Sequence, residues 1–295
     1  MRHPRHRLDT HIMTNPSPYA LFVRGPTERI FTLSDQLGFE MDMQALAVSV
    51  FEDGPDTLHV QALFARRAEA EACEKALDLD GLEHFITQLP DEDWTAKSQA
   101  GLPPVRAGRY FVYGAHDVDK IPDDVPFPLL IEAGMAFGTG HHGTTKGCLL
   151  AFEHMLETTT PKTILDLGCG TGVLAIAAAK ALNIPVIATD IDPDAVDVTL
   201  DNARQNGVAD LIQSYQSDGI TTEKDFDLIF ANILAKPLEV LAPDIAAALA
   251  SGGAVILSGL LDEQAQMVLD AYTGQGLREI HRGSLSGWTC LIMQK

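Results

Sequence analysis

Thr163-Ile164-Leu165-Asp166-Leu167-Gly168-Cys169-Gly170-Thr171-Gly172-Val173-Leu174, followed at 188–192 by Ala-Thr-Asp-Ile-Asp, is the stretch that decides the fold. Ile164 and Leu165 are apolar without polar alternation, as in a strand covered on both faces. Asp166 marks the carboxyl end of that strand, where open α/β sheets bind ligands. Gly168, Gly170 and Gly172 remove three side chains from the following turn, so that backbone amides at a helix N-terminus approach a ligand closely. Residues 173–181 are apolar and alanine-rich, which suits a helix lying on the sheet. The next strand, 186–189, ends at Asp190, a carboxylate able to accept hydrogen bonds from both hydroxyls of a ribose. Together these form the nucleoside-binding half of an open α/β sheet.

The glycine spacing selects among nucleosides. A dinucleotide fingerprint reads Gly-x-Gly-x-x-Gly, but its third position falls here on Val173, and the glycines alternate through Gly172 instead. The form Asp-x-Gly-x-Gly-x-Gly at 166–172, followed by Asp190, is similar to class I methyltransferases and points to S-adenosylmethionine. The expected fold class is α/β, Rossmann-like with a mostly parallel sheet.

At 295 residues the chain exceeds the usual single-domain size, so two domains are expected. A net charge of -20 argues against a large nonspecific nucleic-acid footprint, because phosphate binding relies on Lys and Arg. It suits a basic partner, and equally a surface kept acidic for solubility. Cys73, Cys148, Cys169 and Cys290 lie far apart without metal or redox spacing and read as small buried hydrophobes. No stretch is long and apolar enough to cross a bilayer, and the N-terminus lacks a signal-peptide apolar core, so a cytoplasmic protein is expected.

Residues 1–16 read as a tail, the first 12 being basic and His-rich as if from an upstream start codon. Strand at 19–23, helix at 27–37, strands at 46–51 and 58–64, helix at 68–77 and strand at 84–89 give β-α-β-β-α-β, a smaller ferredoxin-like α+β domain over 17–89. Asp53-Gly54-Pro55-Asp56 is its hairpin turn. It carries no cluster of nucleophile, base or metal ligands, which leaves recognition or a purely structural role. Residues 90–127, punctuated by Pro90, Pro103, Pro104, Pro122 and Pro126, read as a linker, with Trp94 and Tyr110-Phe111-Val112-Tyr113 as its anchors to a catalytic domain over 128–295. Later strands are expected near 211–215, 226–231 and 254–257, with two more around 277–293.

Two further segments carry chemistry. Gly134 to Thr145 is a glycine-rich loop before a helix at 146–156, and Thr144 and Thr145 can cap that helix or donate hydroxyl hydrogen bonds to a ligand. His141 and His142 adjoin no carboxylate or cysteine set, so no metal is expected. In Asp227-Leu228-Ile229-Phe230-Ala231-Asn232, a buried strand delivers Asn232 to the same sheet edge as Gly168 and Asp190, or Asn232 caps the next helix.

The loop Ala-Phe-Gly-Thr-Gly-x-His-x-Thr-Thr at 136–145, with Ala-Asn-Ile-Leu-Ala at 231–235 and the glycine turn, resembles the PrmA family from about residue 17 onward. That family methylates the eleventh protein of the large ribosomal subunit. The resemblance implies cofactor contacts from Thr145, Gly168, Asp190 and Asn232, joined by Asp166 and Gly170 of the same turn, with Phe137 and Thr139 near the transferred methyl. It implies trimethylation of lysine ε-amines and of the N-terminal α-amine, with the small domain docking a basic ribosomal protein. Neither direct nucleic-acid contact nor a membrane is required, and a monomer is expected. Many relatives carry proline where this chain has Gly143, which bears on loop stiffness.

Transfer from a sulfonium is an in-line displacement, so positioning supplies much of the catalysis and no covalent enzyme intermediate is needed. Asn232 and the Phe137 loop are expected to align a neutral amine while bulk water takes its proton. Enzymes acting on planar nitrogens carry Asn-Pro-Pro-Tyr where this chain has Asn232-Ile233-Leu234-Ala235, so an aliphatic amine fits better. A methyltransferase for another protein or a small-molecule amine, and a non-catalytic assembly factor, remain as alternatives.

Overall fold

Leu58, Val60, Ala62 and Phe64 alternate with more exposed neighbours, and this period of two sets the first unit. The computed structural model describes residues 18–39, 45, 47–53, 57–89, 104–132, 143–220 and 225–295. Contacts divide the chain into two units, Met1–Trp94 and Thr95–Lys295. In the first, β1 (Tyr19–Pro26), α1 (Thr27–Phe39), β2 (Ala47–Glu52), β3 (Thr57–Phe64), α2 (Arg67–Ala76) and β4 (Glu83–Gln88) follow the expected order. The strands form one antiparallel sheet in the order β2-β3-β1-β4. Leu21 and Val23 of β1 join Ile30, Leu33 and Leu37 of α1 and Ala70 and Cys73 of α2 in a single core. The helices therefore cover one face of this sheet. The expected tail, most of the 53–56 turn, Trp94 and the first part of the expected linker lie outside the described residues.

The linker expected to reach 127 is folded from Val105 onward. β5 (Val105–Ala107), β6 (Tyr110–Tyr113) and β7 (Phe127–Leu130) form a small sheet belonging to the second unit, which therefore begins upstream of 128. The cause is the aromatic run: Tyr110 is fully buried, its ring 5.6 Å from Phe127 and 6.2 Å from Phe152. Burial of a large apolar side chain contributes about 1.5–3 kcal/mol, which favours packing this run over leaving it in water. Pro122 and Pro126 lie between β6 and β7 rather than inside a strand.

The second unit continues with α3 (Gly143–Leu156), β8 (Ile164–Leu167), α4 (Val173–Leu182), β9 (Val186–Asp190), α5 (Pro193–Gln205), β10 (Ile212–Gln216), β11 (Phe226–Asn232), α6 (Ala235–Ala248), β12 (Leu249–Leu261), α7 (Ala265–Gly274), β13 (Arg278–Leu285) and β14 (Trp288–Gln294). Seven strands form one sheet in the order β10-β9-β8-β11-β12-β14-β13. β8 to β12 run parallel, and β14 is antiparallel to both its neighbours. This is the class I methyltransferase fold. Alternate residues of the central strands feed two cores. Leu228 and Phe230 of β11 pack with α3 and α4, while Ile229 and Ala231 pack with α6 and α7. A strand buried on both faces has no polar position to spare, which is why its sequence reads as continuous hydrophobicity.

Candidate active site

β8 and β11 lie side by side, but the chain leaves β8 toward β9 and leaves β11 toward β12, on opposite sides. That reversal opens a crevice at the carboxyl ends of the two strands, where open α/β sheets bind ligands. One wall is the glycine turn. Gly168 has φ of +72°, and a Cβ there would lie 2.3 Å from Ile233 Cγ2. Across the sheet Gly259, at φ +85°, would place a Cβ 2.2 Å from the Ile233 carbonyl oxygen. It sits where the β12 register with β14 shifts, between Leu257 and Leu260. The segment after Asn232 is thus seated against two glycines, and neither tolerates a side chain.

The turn is stitched to the acid at the end of β9. Gly168 and Cys169 donate their amides to the Thr189 carbonyl at 2.8 and 3.0 Å. Gly170 donates to Asp190 Oδ2 at 2.9 Å, and Asp192 donates to Asp190 Oδ1 at 3.0 Å. Each carboxylate oxygen holds one backbone amide and keeps further acceptor capacity. Ile191, next in the chain, is 66 % exposed, an apolar side chain left in water beside that carboxylate. Sequence reasoning passed over it, although a lone apolar residue between Asp190 and Asp192 in a strand-to-helix turn was a visible signal.

Asn232 comes to the same edge. Its Nδ2 donates to Thr145 Oγ1 at 3.5 Å, and its Oδ1 is buried without a partner among the described residues. It does not cap α6, whose N-cap is Leu234 with no side-chain cap. The helix expected at 146–156 starts at Gly143, so Thr144 and Thr145 lie inside its first turn, buried. The structure thus brings Thr145, Gly168, Gly170, Asp190 and Asn232 to one edge. Phe137 and Thr139, with His141 and His142, fall outside the described residues.

Asp166, expected among the cofactor contacts, lies at the end of β8. It is 1 % exposed and accepts the Ala175 amide at 2.9 Å, holding the first turn of α4 from beneath. Burial, with a smaller push from Asp190, raises its carboxyl to about 8, so the neutral acid prevails at pH 7. Cys169, inside the turn, is pushed up to about 12 chiefly by burial, which keeps it a thiol and removes it as a nucleophile.

Sequence reasoning also missed the support supplied by α5. Thr199 Oγ1 donates to the Gly170 carbonyl at 3.0 Å. Asn202, buried, donates to the carbonyls of Thr171 at 2.9 Å and Glu132 at 3.2 Å, and accepts the Glu132 amide at 3.1 Å. One side chain therefore fastens the glycine turn to the root of the 133–142 segment. No cluster able to hold a metal ion occurs among the described residues, and no helix among them is long and apolar enough to cross a membrane.

A family model described as ribosomal protein L11 methyltransferase (PrmA) matches residues 31–295. A ribosomal protein L11 methyltransferase of Brucella melitensis is 45% identical over 281 residues, covering 92% of this chain and 96% of that protein. One of Sinorhizobium fredii is 41% identical over 291 residues, covering 95% of this chain and 100% of that protein. The crystal structure of a ribosomal protein L11 methylase from Lactobacillus delbrueckii subsp. bulgaricus superposes with a TM-score of 0.59 at 28% identity, covering 64% of this chain and 97% of that one. With the glycine turn, Asp190 and Asn232 assembled at one sheet edge, these matches place the chain in the PrmA family.

Proposed function

We propose that this chain transfers methyl groups from S-adenosylmethionine to amines of ribosomal protein L11, namely lysine ε-amines and the N-terminal α-amine. The observation that carries the reading is the stitched crevice, in which Gly168, Gly170, Asp190, Thr145 and Asn232 converge at the sheet's reversal point in a chain of the PrmA family. The residues fit the methyl donor. Asp190 retains acceptor capacity for ribose hydroxyls, and the glycine turn brings backbone beside that carboxylate. When bound, S-adenosylmethionine supplies a methyl group activated by a positively charged sulfur.

The chain's own contribution is placement. Thr145 takes one end of the Asn232 amide, which leaves the carbonyl oxygen as the unpartnered end, ready to accept an N–H from the incoming amine. An amine so held, once it has lost its ammonium proton, keeps its lone pair for attack. Phe137 and Thr139 complete this alignment from the loop, and water takes the released proton. Asp166 acts as a positioning residue, keeping the start of α4 in place beneath the turn. The first unit docks the protein substrate, and the enzyme works as a monomer in the cytoplasm without nucleic-acid contact. Incubating the purified protein with methyl-tritiated S-adenosylmethionine and purified, unmethylated ribosomal protein L11 tests the reading. Label is expected in lysine and N-terminal amines, and an unlabelled substrate overturns it.

A further inference from the structure

The first unit has a second face, opposite α1 and α2. On it Phe22 of β1 and Phe85 of β4 are paired across the sheet, with ring centroids 4.9 Å apart at 20°, and the His59 ring lies 6.3 Å from Phe22. Arg24 and Glu83 follow in register, and Asp53 comes from the end of β2. These six side chains line a cavity of about 260 Å³. That is below the roughly 300–1,000 Å³ of small-molecule pockets. Phe85 is 54% exposed although it is a large ring on a regular strand.

The charges in the cleft are unbalanced. Arg24 is bound by both Asp53 and Glu83, two carboxylates to one guanidinium, within a chain of net charge -20. An aromatic face attracts cations, and a neighbouring excess of carboxylate strengthens the preference. A single-stranded nucleic acid would also stack on exposed aromatics, but its phosphates would meet Glu83 and Asp53, with Arg24 already engaged by both.

We propose that this cleft receives a lysine or arginine side chain projecting from the surface of the basic protein substrate, its cationic head over Phe85 and beside Glu83. The proposal rests on the reading that the substrate is a ribosomal protein, and it assigns the docking contact within the first unit. It predicts that the cleft governs capture of the protein and not of the methyl donor.

Two measurements on the full chain test this. In steady-state methylation of ribosomal protein L11, Phe85→Ala and Glu83→Gln should each raise KM for the protein about tenfold while leaving KM for S-adenosylmethionine unmoved. Phe85→Leu, which keeps apolar area without a π face, should behave like Phe85→Ala, and Phe85→Trp should bind at least as well as the parent. Independently of methylation, the additional fluorescence of Phe85→Trp should respond to hexalysine and not to hexaglutamate, and the response should weaken when Glu83→Gln is added. If wild-type enzyme labels no L11 but the hexalysine response holds, the substrate assignment fails and the cation site stands. Unchanged KM in both variants overturns the cleft, as does a Phe85→Trp signal indifferent to hexalysine. Phe85-dependent binding of oligo-dT would replace it with a nucleic-acid face.

Discussion

Gly168→Ala tests the structural reading of the site most directly, because two separable costs meet at one atom. The added Cβ enters at φ of +72° and 2.3 Å from Ile233 Cγ2. The left-handed backbone costs about 1–2 kcal/mol in a residue with a Cβ. Overpacking a closed contact costs about 1–3 kcal/mol more. The sum, about 2–5 kcal/mol, is a large share of an ordinary domain's stability. The second cost can be removed by Ile233→Ala, since the Ile233 Cβ itself would stand 3.8 Å from the new methyl, an ordinary contact. Urea unfolding of the two single variants and the double variant measures the coupling. The double variant should be less destabilised than the sum of the singles by about 1–3 kcal/mol, the overpacking term. Calorimetric titration with S-adenosylmethionine should follow the same order, with Gly168→Ala weakest. A Gly168→Ala protein as stable as wild type would refute the packing of the turn on Ile233. Strict additivity would refute the claim that Ile233 is what the turn cannot move past.

Removing the Asp190 carboxylate should weaken S-adenosylmethionine by the loss of charge-assisted hydrogen bonds, about 2–3 kcal/mol. That is roughly 30- to 150-fold in Kd, and unchanged calorimetry for Asp190→Ala would contradict the ribose assignment. Asp166 binds its proton in the folded protein up to about pH 8, whereas an ordinary aspartate releases it near 3.8. Between those values the native state holds the extra proton, so the wild type should lose stability as pH rises and level off above 8. Asp166→Asn should flatten that slope and gain a few kcal/mol on the wild type by pH 8.5, at about 1.4 kcal/mol per pKa unit as a ceiling. Parallel stability curves would count against it. Asn202→Ala removes three hydrogen bonds to the backbone of Thr171 and Glu132 and should cost about 2–4 kcal/mol in urea, with less than about 1 telling against the fastening role. Asn232→Ala should lower kcat about 100-fold at saturating substrates, as misplacement of a reacting group does, and an unaltered kcat would remove the alignment role.

The strands flanking the crevice were readable because each side of the sheet is covered, which leaves a local signal of unbroken hydrophobicity at 164–165 and 228–231. The first unit was readable for the opposite reason, its period of two in β3. The stretch from Val105 to Leu130 was not, because its fold depends on a partner distant in sequence. Tyr110 is buried by Phe152 of α3, some forty positions away, and nothing local separates an aromatic run that anchors a linker from one that forms a strand. Proline frequency weighed toward a linker, whereas the residues between β6 and β7 absorb Pro122 and Pro126 without breaking either strand.

Within the site, what was legible was chemical type and what was not was direction. Asp166 and Ile164 are two apart on β8 and so share a face, and Ile164 packs into the core that α3 and α4 cover. The pleat therefore turns the Asp166 carboxylate toward α4, where it meets the Ala175 amide. The strand period was the signal for that direction. Asn202 offered no such signal, since it lies in a helix with three Asp whose polar residues mostly face solvent. Its place is set by backbone groups of Glu132 and Thr171, with which its side chain hydrogen-bonds. A residue whose partners are main-chain atoms of two distant segments leaves no mark in their side chains. The supports of a site built on backbone, as this glycine turn is, are consequently harder to read than its ligands.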